Sequence, residues 1–442
     1  MSQDSQPWKE RREVRVPAGS CGVAGAGIMG SGIAETVAAS GAFERVVLQD
    51  IDPDQLERAT TRIAANLDSL TERGKLDAAE RDRTLARIRT ATDFGALADC
   101  SFAIEAVPES FEIKAEVLRA ISAAVSPEAM IATNTSAIPV TRLAGCVERP
   151  ERFLGMHFMN PAPQMKGLEL VRGLRTSAAT RAAALELGAR FGKRIACSKD
   201  RAGFTINRIL LPMLNDAIAG LDAGLGSIGL ADRYVKSDES GPRHPMGPFM
   251  LADLIGLDTV AHTLAGLAAE LDDAFAPAAL LLRLTRQGAH GRKSGGGFYL
   301  WPRNRPPRPN PLVDELAAEK SRDDGVALGR RAWLTMANEA LKVVGEGTST
   351  VADTDCGCLY CLNHPVGIFA ALDRMGENEA LAALERCEQE FGRAYKPAPL
   401  LRRMVEAGFG GRTAGAGAYR WQGNEMLETN AVLQEYTLAP VP

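Results

Sequence analysis

The sequence predicts two unlike halves: an alternating strand–helix half with an open, mostly parallel sheet, and a helical half that contains one pattern twice. Three observations predict this. Up to about residue 203, apolar strand-like runs alternate with helix-periodic runs, as in an α/β sheet with ligands at the strand C-termini. A glycine turn, Gly25-x-Gly27-x-x-Gly30, follows the first apolar run. Beyond residue 203 long helical patterns recur, at an offset of 123 residues and then of 120, too regularly for chance.

The elements can be justified in order. Residues 21–30 read CGVAGAGIMG, and GSGIAETVAASGAF continues as a small-residue helix. In a strand–turn–helix of this kind the first glycine allows the tight turn. The second lets a pyrophosphate approach the backbone, and the third lets helix and strand pack closely. The exposed N–H groups and the helix dipole favour the anion. Gly25, Gly27, Ile28, Met29 and Gly30 are therefore candidate dinucleotide contacts. RVVLQDID reads as the next strand, with Asp50 at its C-terminal end twenty residues past Gly30. A carboxylate there can accept hydrogen bonds from the adenosine ribose. It would repel a 2′-phosphate, which predicts NAD rather than NADP.

The stretch from Asp54 to Thr90 is charged and helix-periodic and predicts a helical hairpin. SFAIEAVPE is strand-like and ends in Glu105 and Glu109; SFEIKAEVLRAISAAV is a helix; AMIATNTSAI is a buried strand closing on Asn134-Thr135-Ser136. FLGMHFMNP and LELVRG follow. Glu109, Ser136 and His157 all fall at strand ends. His157 to Glu169, HFMNPAPQMKGLE, bring an imidazole, the Asn160 amide and a carboxylate close together in a chain with five histidines. A carboxylate on one ring nitrogen leaves the other free to accept a proton. Alone, such a pair is a common coincidence; the dinucleotide motif upstream is what gives it meaning.

Composition narrows the function classes. With 45% hydrophobic and 24% charged residues and a net charge of −4, the chain has no global basic field for nucleic acid or an anionic membrane. No apolar run approaches the roughly 18 residues of a membrane span. The N-terminus, polar and without an apolar core, reads as a flexible lead-in rather than a secretory signal. Eight dispersed cysteines suit a reducing cytoplasm. Cys356, Cys358, Cys361 and His364 fall within nine residues and read either as zinc ligands or as small buried thiols. Structural zinc usually joins two separated ligand pairs, so no metal is expected.

GAGIMGSGIA, Asp50, EAVPE followed by Lys114, NTS, HFMNP…M…E, GFTINR and GRKSGGGFY stand in one order across about residues 20–424. Together they resemble the 3-hydroxyacyl-CoA dehydrogenase family. The resemblance implies NAD-dependent oxidation of the L-3-hydroxyl of an acyl-CoA thioester to the 3-ketone, or the reverse. It implies His157 as the base, Glu169 as its orienter, Asn207 hydrogen-bonding the substrate, and Ser136 touching it beside the nicotinamide. Glu109, Lys114, Asn160 and Lys293 would lie around the cofactor. Arg73 falls roughly where the family places a basic residue on the CoA moiety. Read without the family, Asn207 is also a helix N-terminal cap and Lys293 a solvated turn. Met159 stands where an aromatic is common and Gly167 where a larger apolar residue is usual. Both departures bear on pocket shape and leave acyl specificity open.

The resemblance also implies the domain plan: a lead-in (1–18), a Rossmann-type NAD-binding domain with a helical-hairpin insertion (19–203), and two tandem all-α, 6-phosphogluconate-dehydrogenase-like domains (204–302 and 327–424). A Pro/Arg-rich linker (303–326) joins these two, and a tail (425–442) follows them. Asn215-Asp216 matches Asn338-Glu339, HPMGPFMLADLIG matches HPVGIFAALDRMG, and GRKSGGGFYLW matches GRTAGAGAYRW, where Thr413 replaces Lys293. The first copy is thus expected to serve catalysis and the second to be structural. An intrachain pseudo-dimer is expected, in a monomer or homodimer, as in the α-chains of multifunctional fatty-acid oxidation enzymes. No crotonase or thiolase pattern is seen, which predicts a stand-alone dehydrogenase of β-oxidation or a related acyl-CoA pathway. The rival readings are a dehydrogenase of a free hydroxy acid or polyol on the same fold, and an inactive structural relative.

Overall fold

The computed structural model describes residues 16–237, 243–319 and 325–438. Most of the expected lead-in, and residues 320–324 and 439–442 of the linker and tail, lie outside them. The chain divides into two compact units, Met1–Ile195 and Ala196–Pro442.

The first unit alternates as expected: β1 (Ser20–Ala24), α1 (Ile28–Ser40), β2 (Arg45–Gln49), α2 (Pro53–Glu72), α3 (Ala78–Arg87), β3 (Ile88–Ala91), β4 (Cys100–Glu105), α4 (Phe111–Ala124), β5 (Met130–Thr133), α5 (Val140–Leu143), β6 (Phe153–Phe158), β7 (Gly167–Arg172), α6 (Ala178–Arg190) and β8 (Arg194–Lys199). They form an eight-stranded sheet of order β3-β2-β1-β4-β5-β6-β7-β8. Strands β1, β4 and β5 are buried over almost their whole length, which is why they read as continuous apolar runs. In α2, Leu56, Ala59, Ile63 and Leu67 make the buried stripe, and Asp52 caps Asp54 N ahead of Pro53. Proline at the first helical position costs no hydrogen bond.

Two features differ from the sequence reading. The charged hairpin ends at Arg87, and its last residues form the edge strand β3, parallel to β2. A short edge strand with Arg89 and Thr90 exposed carries no apolar signature. The sheet also changes direction, because β7 runs antiparallel to β6.

The second unit is helical and duplicated. The first copy comprises α7 (Ile206–Asp222), α8 (Ile228–Lys236), α9 (Pro248–Ile255), α10 (Leu257–Glu270), α11 (Ala279–Arg286), β9 (Tyr299–Leu300), β10 (Arg308–Pro309) and α12 (Pro311–Leu316). The second comprises α13 (Gly325–Gly345), α14 (Val351–Cys361), α15 (Ile368–Met375), α16 (Glu377–Phe391), α17 (Pro399–Glu406), β11 (Tyr419–Gln422), β12 (Glu425–Thr429) and α18 (Ala431–Leu438). Residues 308–316 and 425–438, read as linker and tail, thus hold matching elements. Asn310 Nδ2 donates to Gly297 O and Asn430 Nδ2 to Gly417 O, each closing a hairpin back on its own copy. The proline-rich composition hid this, because β10 is a two-residue exposed strand and Pro311 opens a helix.

The copies share one internal scaffold. Asp253 accepts from Phe298 N, Tyr299 N and Trp301 Nε1; Asp373 accepts from Ala418 N, Tyr419 N and Trp421 Nε1. Asp232 takes Phe249 N and the Tyr299 hydroxyl, and Asp355 takes Phe369 N and the Tyr419 hydroxyl. Burial pushes Asp232 and Asp355 up to about 6, against these hydrogen bonds. Between copies the contacts are reciprocal. Arg208 of α7 pairs with Glu339 of α13, and Arg331 of α13 pairs with Asp216 of α7. His244 and His364, from the two His-Pro motifs, meet edge to face at 4.3 Å, and burial holds His244 down at about 4. A residue pair that recurs with its members exchanged is the mark of an isologous contact.

A buried carboxyl breaks the symmetry. Where the first copy has Leu257, the second has Glu377, fully buried against Asp373. Burial, then the Asp373 charge, pushes Glu377 up to about 9. A carboxyl raised in the folded state favours folding below the ordinary carboxylate range and loses that advantage as pH rises through the raised value. Melting temperature is therefore expected to fall more steeply from about pH 6 to about pH 9 in the natural protein than in Glu377→Leu. Each kcal/mol relieved is worth roughly 2–4 °C. Parallel melting curves for both would remove this account.

Candidate active site

The glycine turn is built as its residue types require. Gly25 has φ +101°, and a Cβ there would lie 2.7 Å from Ala106 O; a Cβ on Gly30 would collide with Gly25 O. Around Gly27 nothing lies within 4 Å of a Cβ position. The turn is thus closed where helix and strand pack and open at the start of α1, where a pyrophosphate fits. Ile28 is 67% exposed at this opening, beside Met29. Asp50 Oδ2 accepts from Ala26 N at 2.7 Å and Oδ1 from Asp52 N, fixing the carboxylate at the end of β2. Arg62 of α2 donates to Ser31 Oγ at 2.6 Å and to Gly27 O at 3.3 Å. It adds a positive charge to an opening that already favours anions, and no sequence motif marked it.

A second cluster lies at the ends of β4 and β5. Lys114, on the buried face of α4, places Nζ 2.8 Å from Glu105 Oε1 and 3.2 Å from Glu109 Oε2. Glu105 also accepts from Thr133 Oγ1 and Val107 N. Glu109 Oε1 takes Thr135 Oγ1, Ser136 N, Ser136 Oγ and Ala137 N. Burial works to raise Glu109, but Lys114 and the bonds from Thr135 and Ser136 prevail and hold it below the usual carboxylate range. An ionised Glu109 thus shapes the Thr135–Ala137 loop. Glu105 was not singled out as a site residue: it ends an apolar strand, and only the fold brings Lys114 back to it.

The third group comes from the antiparallel pair. His157 and Glu169 are direct register partners on β6 and β7, so their side chains share a face. Nδ1 of His157 lies 2.9 Å from Glu169 Oε2, with Glu169 fully buried and His157 11% exposed. Asn134 Oδ1 accepts from Phe158 N, tying the end of β5 to the residue after His157. Asn160 is exposed beyond β6.

In the second unit, Asn207 is half-buried one residue inside the start of α7, whose N-cap is Thr205. The cap reading of Asn207 therefore fails. Lys293 sits in the short turn Arg292–Ser294 and pairs with Asp258 at 2.7 Å. Arg73 is the exposed C-cap of α2, and no described contact joins it to the other site residues. Cys356, Cys358 and Cys361 lie on α14, and the described residues bring no three His, Cys, Asp or Glu side chains into a metal-binding arrangement.

Residues 20–201 match the model of the 3-hydroxyacyl-CoA dehydrogenase NAD-binding domain, and residues 203–301 and 328–421 each match that of its C-terminal domain. The chain belongs to the 3-hydroxyacyl-CoA dehydrogenase family. It is an NAD-dependent oxidoreductase acting on the hydroxyl carbon of 3-hydroxyacyl-CoA. A 3-hydroxybutyryl-CoA dehydrogenase from Bradyrhizobium diazoefficiens is 42% identical over 63% of this chain and 94% of its own length. A probable one from Deinococcus radiodurans is 43% identical over 63% and 98%. The crystal structure of 3-hydroxybutyryl-CoA dehydrogenase from Escherichia coli K12 has 28% identity and a TM-score of 0.79, covering 88% of this chain and 99% of its own.

Asp50→Asn keeps an acceptor for Ala26 N and removes the charge. NAD affinity is expected to fall about tenfold, close to 1.4 kcal/mol, and the preference over NADP to shrink. Titration of NADH and NADPH fluorescence checks both; an unchanged preference would exclude Asp50 as the selector.

Proposed function

We propose that His157 is the general base of an L-3-hydroxyacyl-CoA dehydrogenase and Glu169 its positioning carboxylate. The cross-strand His157–Glu169 pair carries this reading. A carboxylate on Nδ1 favours the tautomer with its proton there, which leaves Nε2 to accept the 3-hydroxyl proton. The buried Glu169 charge then stabilises the imidazolium. NAD, when bound, supplies the hydride acceptor. Gly25, Gly27, Ile28, Met29, Gly30 and Asp50 would hold its adenosine diphosphate part, and the family resemblance assigns Glu109, Lys114, Asn160 and Lys293 to the cofactor as well. Ser136, held by Glu109, would contact the substrate beside the nicotinamide, Asn207 would hydrogen-bond the substrate, and Arg73 falls roughly where the family places a basic residue on the CoA moiety. Proximity and orientation supply much of the rate in such transfers.

We further place the enzyme in the cytoplasm, in β-oxidation or a related acyl-CoA pathway. Eight free cysteines support a reducing compartment. Among the described residues no single helix is long and apolar enough to cross a membrane. The reciprocal packing of the two helical copies supports a chain whose helical core needs no second subunit, alone or in a homodimer.

Purified protein with NAD is expected to form NADH from L- but not D-3-hydroxyacyl-CoA, starting with 3-hydroxybutyryl-CoA. His157→Gln should lower kcat by roughly 10²–10⁴-fold with NAD affinity retained, and Glu169→Gln should lower it less. Turnover of the D-thioester, or a fully active His157→Gln, would overturn the assignment.

A further inference from the structure

The end of β8, Ala196–Lys199, is the connector to the first helical copy, where Asn207 stands in the first turn of α7. Within the second unit, this connector is held by the other copy. Asp353 Oδ1 accepts from Cys197 N at 3.0 Å, Ser349 Oγ donates to Cys197 O at 2.9 Å, and Lys199 N donates to Thr348 O at 2.8 Å. Asp353 spends its other oxygen on Thr350 Oγ1, and Thr350 Oγ1 caps Asp353 N. Thr350 thus caps the start of α14 through its hydroxyl, while the Asp353 oxygen that meets the connector is the other one.

The polar residues occur in one copy only. At the repeat offset of 123, Thr348, Ser349 and Asp353 correspond to Leu225, Gly226 and Leu230 of the first copy. The backbone of the turn is common to both: Gly347 and Gly224 have φ of +66° and +70°. A hydroxyl and a carboxylate were therefore not needed to build the turn. They stand where a connector is present to receive them.

We propose that the second helical copy clamps the connector, and that Asp353 and Ser349 are positioning residues that act on turnover through it. The proposal rests on the dehydrogenase reading above and extends it, giving the copy without the Lys293 counterpart a role in the reaction. Without these bonds the segment leading into α7, and Asn207 with it, is held less firmly within the second unit, and small misplacements far from the chemistry cost large factors in rate.

The test uses the full chain with NAD and L-3-hydroxybutyryl-CoA, and amide hydrogen exchange across residues 196–200. Four proteins are compared: the natural chain, Asp353→Asn, the double variant Ser349→Ala/Asp353→Ala, and Thr350→Val, which loses the cap but keeps the connector contacts. The double variant is expected to exchange faster at 197–199 and to lose roughly tenfold in kcat, with KM within about threefold. Asp353→Asn, which keeps an acceptor oxygen, should recover most of the rate, and Thr350→Val should stay within about twofold of the natural chain. Faster exchange with unchanged kcat, unchanged exchange, or equal loss in Thr350→Val would each overturn the proposal. If the natural chain does not turn over the thioester, the substrate reading fails instead, and the exchange data alone decide whether the clamp exists.

Discussion

The contact between His157 and Glu169, on which the proposed chemistry rests, depends on one reversal in the sheet. Were β7 parallel to β6, the two strands would need a long crossover, and eight residues between Phe158 and Gly167 are too few for one. Running antiparallel, the chain returns at once and sets Glu169 directly opposite His157. A slip of one residue would turn Glu169 to the other face and put Leu168 or Leu170 in its place. Leu168 and Leu170 are themselves almost fully buried, so the core on one face fixes the register that aligns His157 with Glu169 on the other. The Asn134–Phe158 bond then ties this pair to the loop after β5, which Glu109 and Lys114 hold in turn.

Local chemistry was legible in the sequence; pairings made by distant chain segments were less so. Three glycines and an aspartate at set spacing determine a turn and a strand end, and these stand where the spacing put them. His157 and Glu169 could be named because the dinucleotide motif upstream, and then the family resemblance, gave meaning to a pair that alone is a common coincidence. Glu105 was read only as a strand end, because a carboxylate at the end of an apolar strand looks like no more than that until a helix returns Lys114 to it. Arg62 and Arg73 lie on one charged helix whose pattern says only which face meets solvent. The fold, not the sequence, puts Arg62 at the phosphate turn. The edge strand β3 and the hairpins at 308–316 and 425–438 were missed for a similar reason. Short, exposed strands carry no apolar alternation, and their hydrogen-bonding partners are the only sign of them.

The repeat supplies a comparison inside one molecule. Both copies keep the carboxylates that gather backbone N–H groups, Asp232 with Asp355 and Asp253 with Asp373, each helped by a tyrosine or tryptophan donor. Burying such a charge is costly unless every oxygen is occupied, so all the partners must persist together or none can. Arg208 with Glu339 and Arg331 with Asp216 persist for the same reason, since losing one member would strand a buried charge.

Besides the buried Leu257/Glu377 position, the copies part at positions without that constraint. Lys293 faces Asp258 in a solvated turn, and its counterpart Thr413 has Asn378 in the aspartate's place. The second copy carries charge on neither side of this contact, so no charge there lacks its partner. The Thr348–Asp353 turn moved the other way, gaining polar groups where the first copy has leucine and glycine. New polar groups in a partly buried turn persist only if something satisfies them, and the connector backbone at Cys197 does so. The two changes share one logic. A duplicated domain is free to lose what only the first copy uses, and it retains new polarity only where another part of the chain comes to meet it.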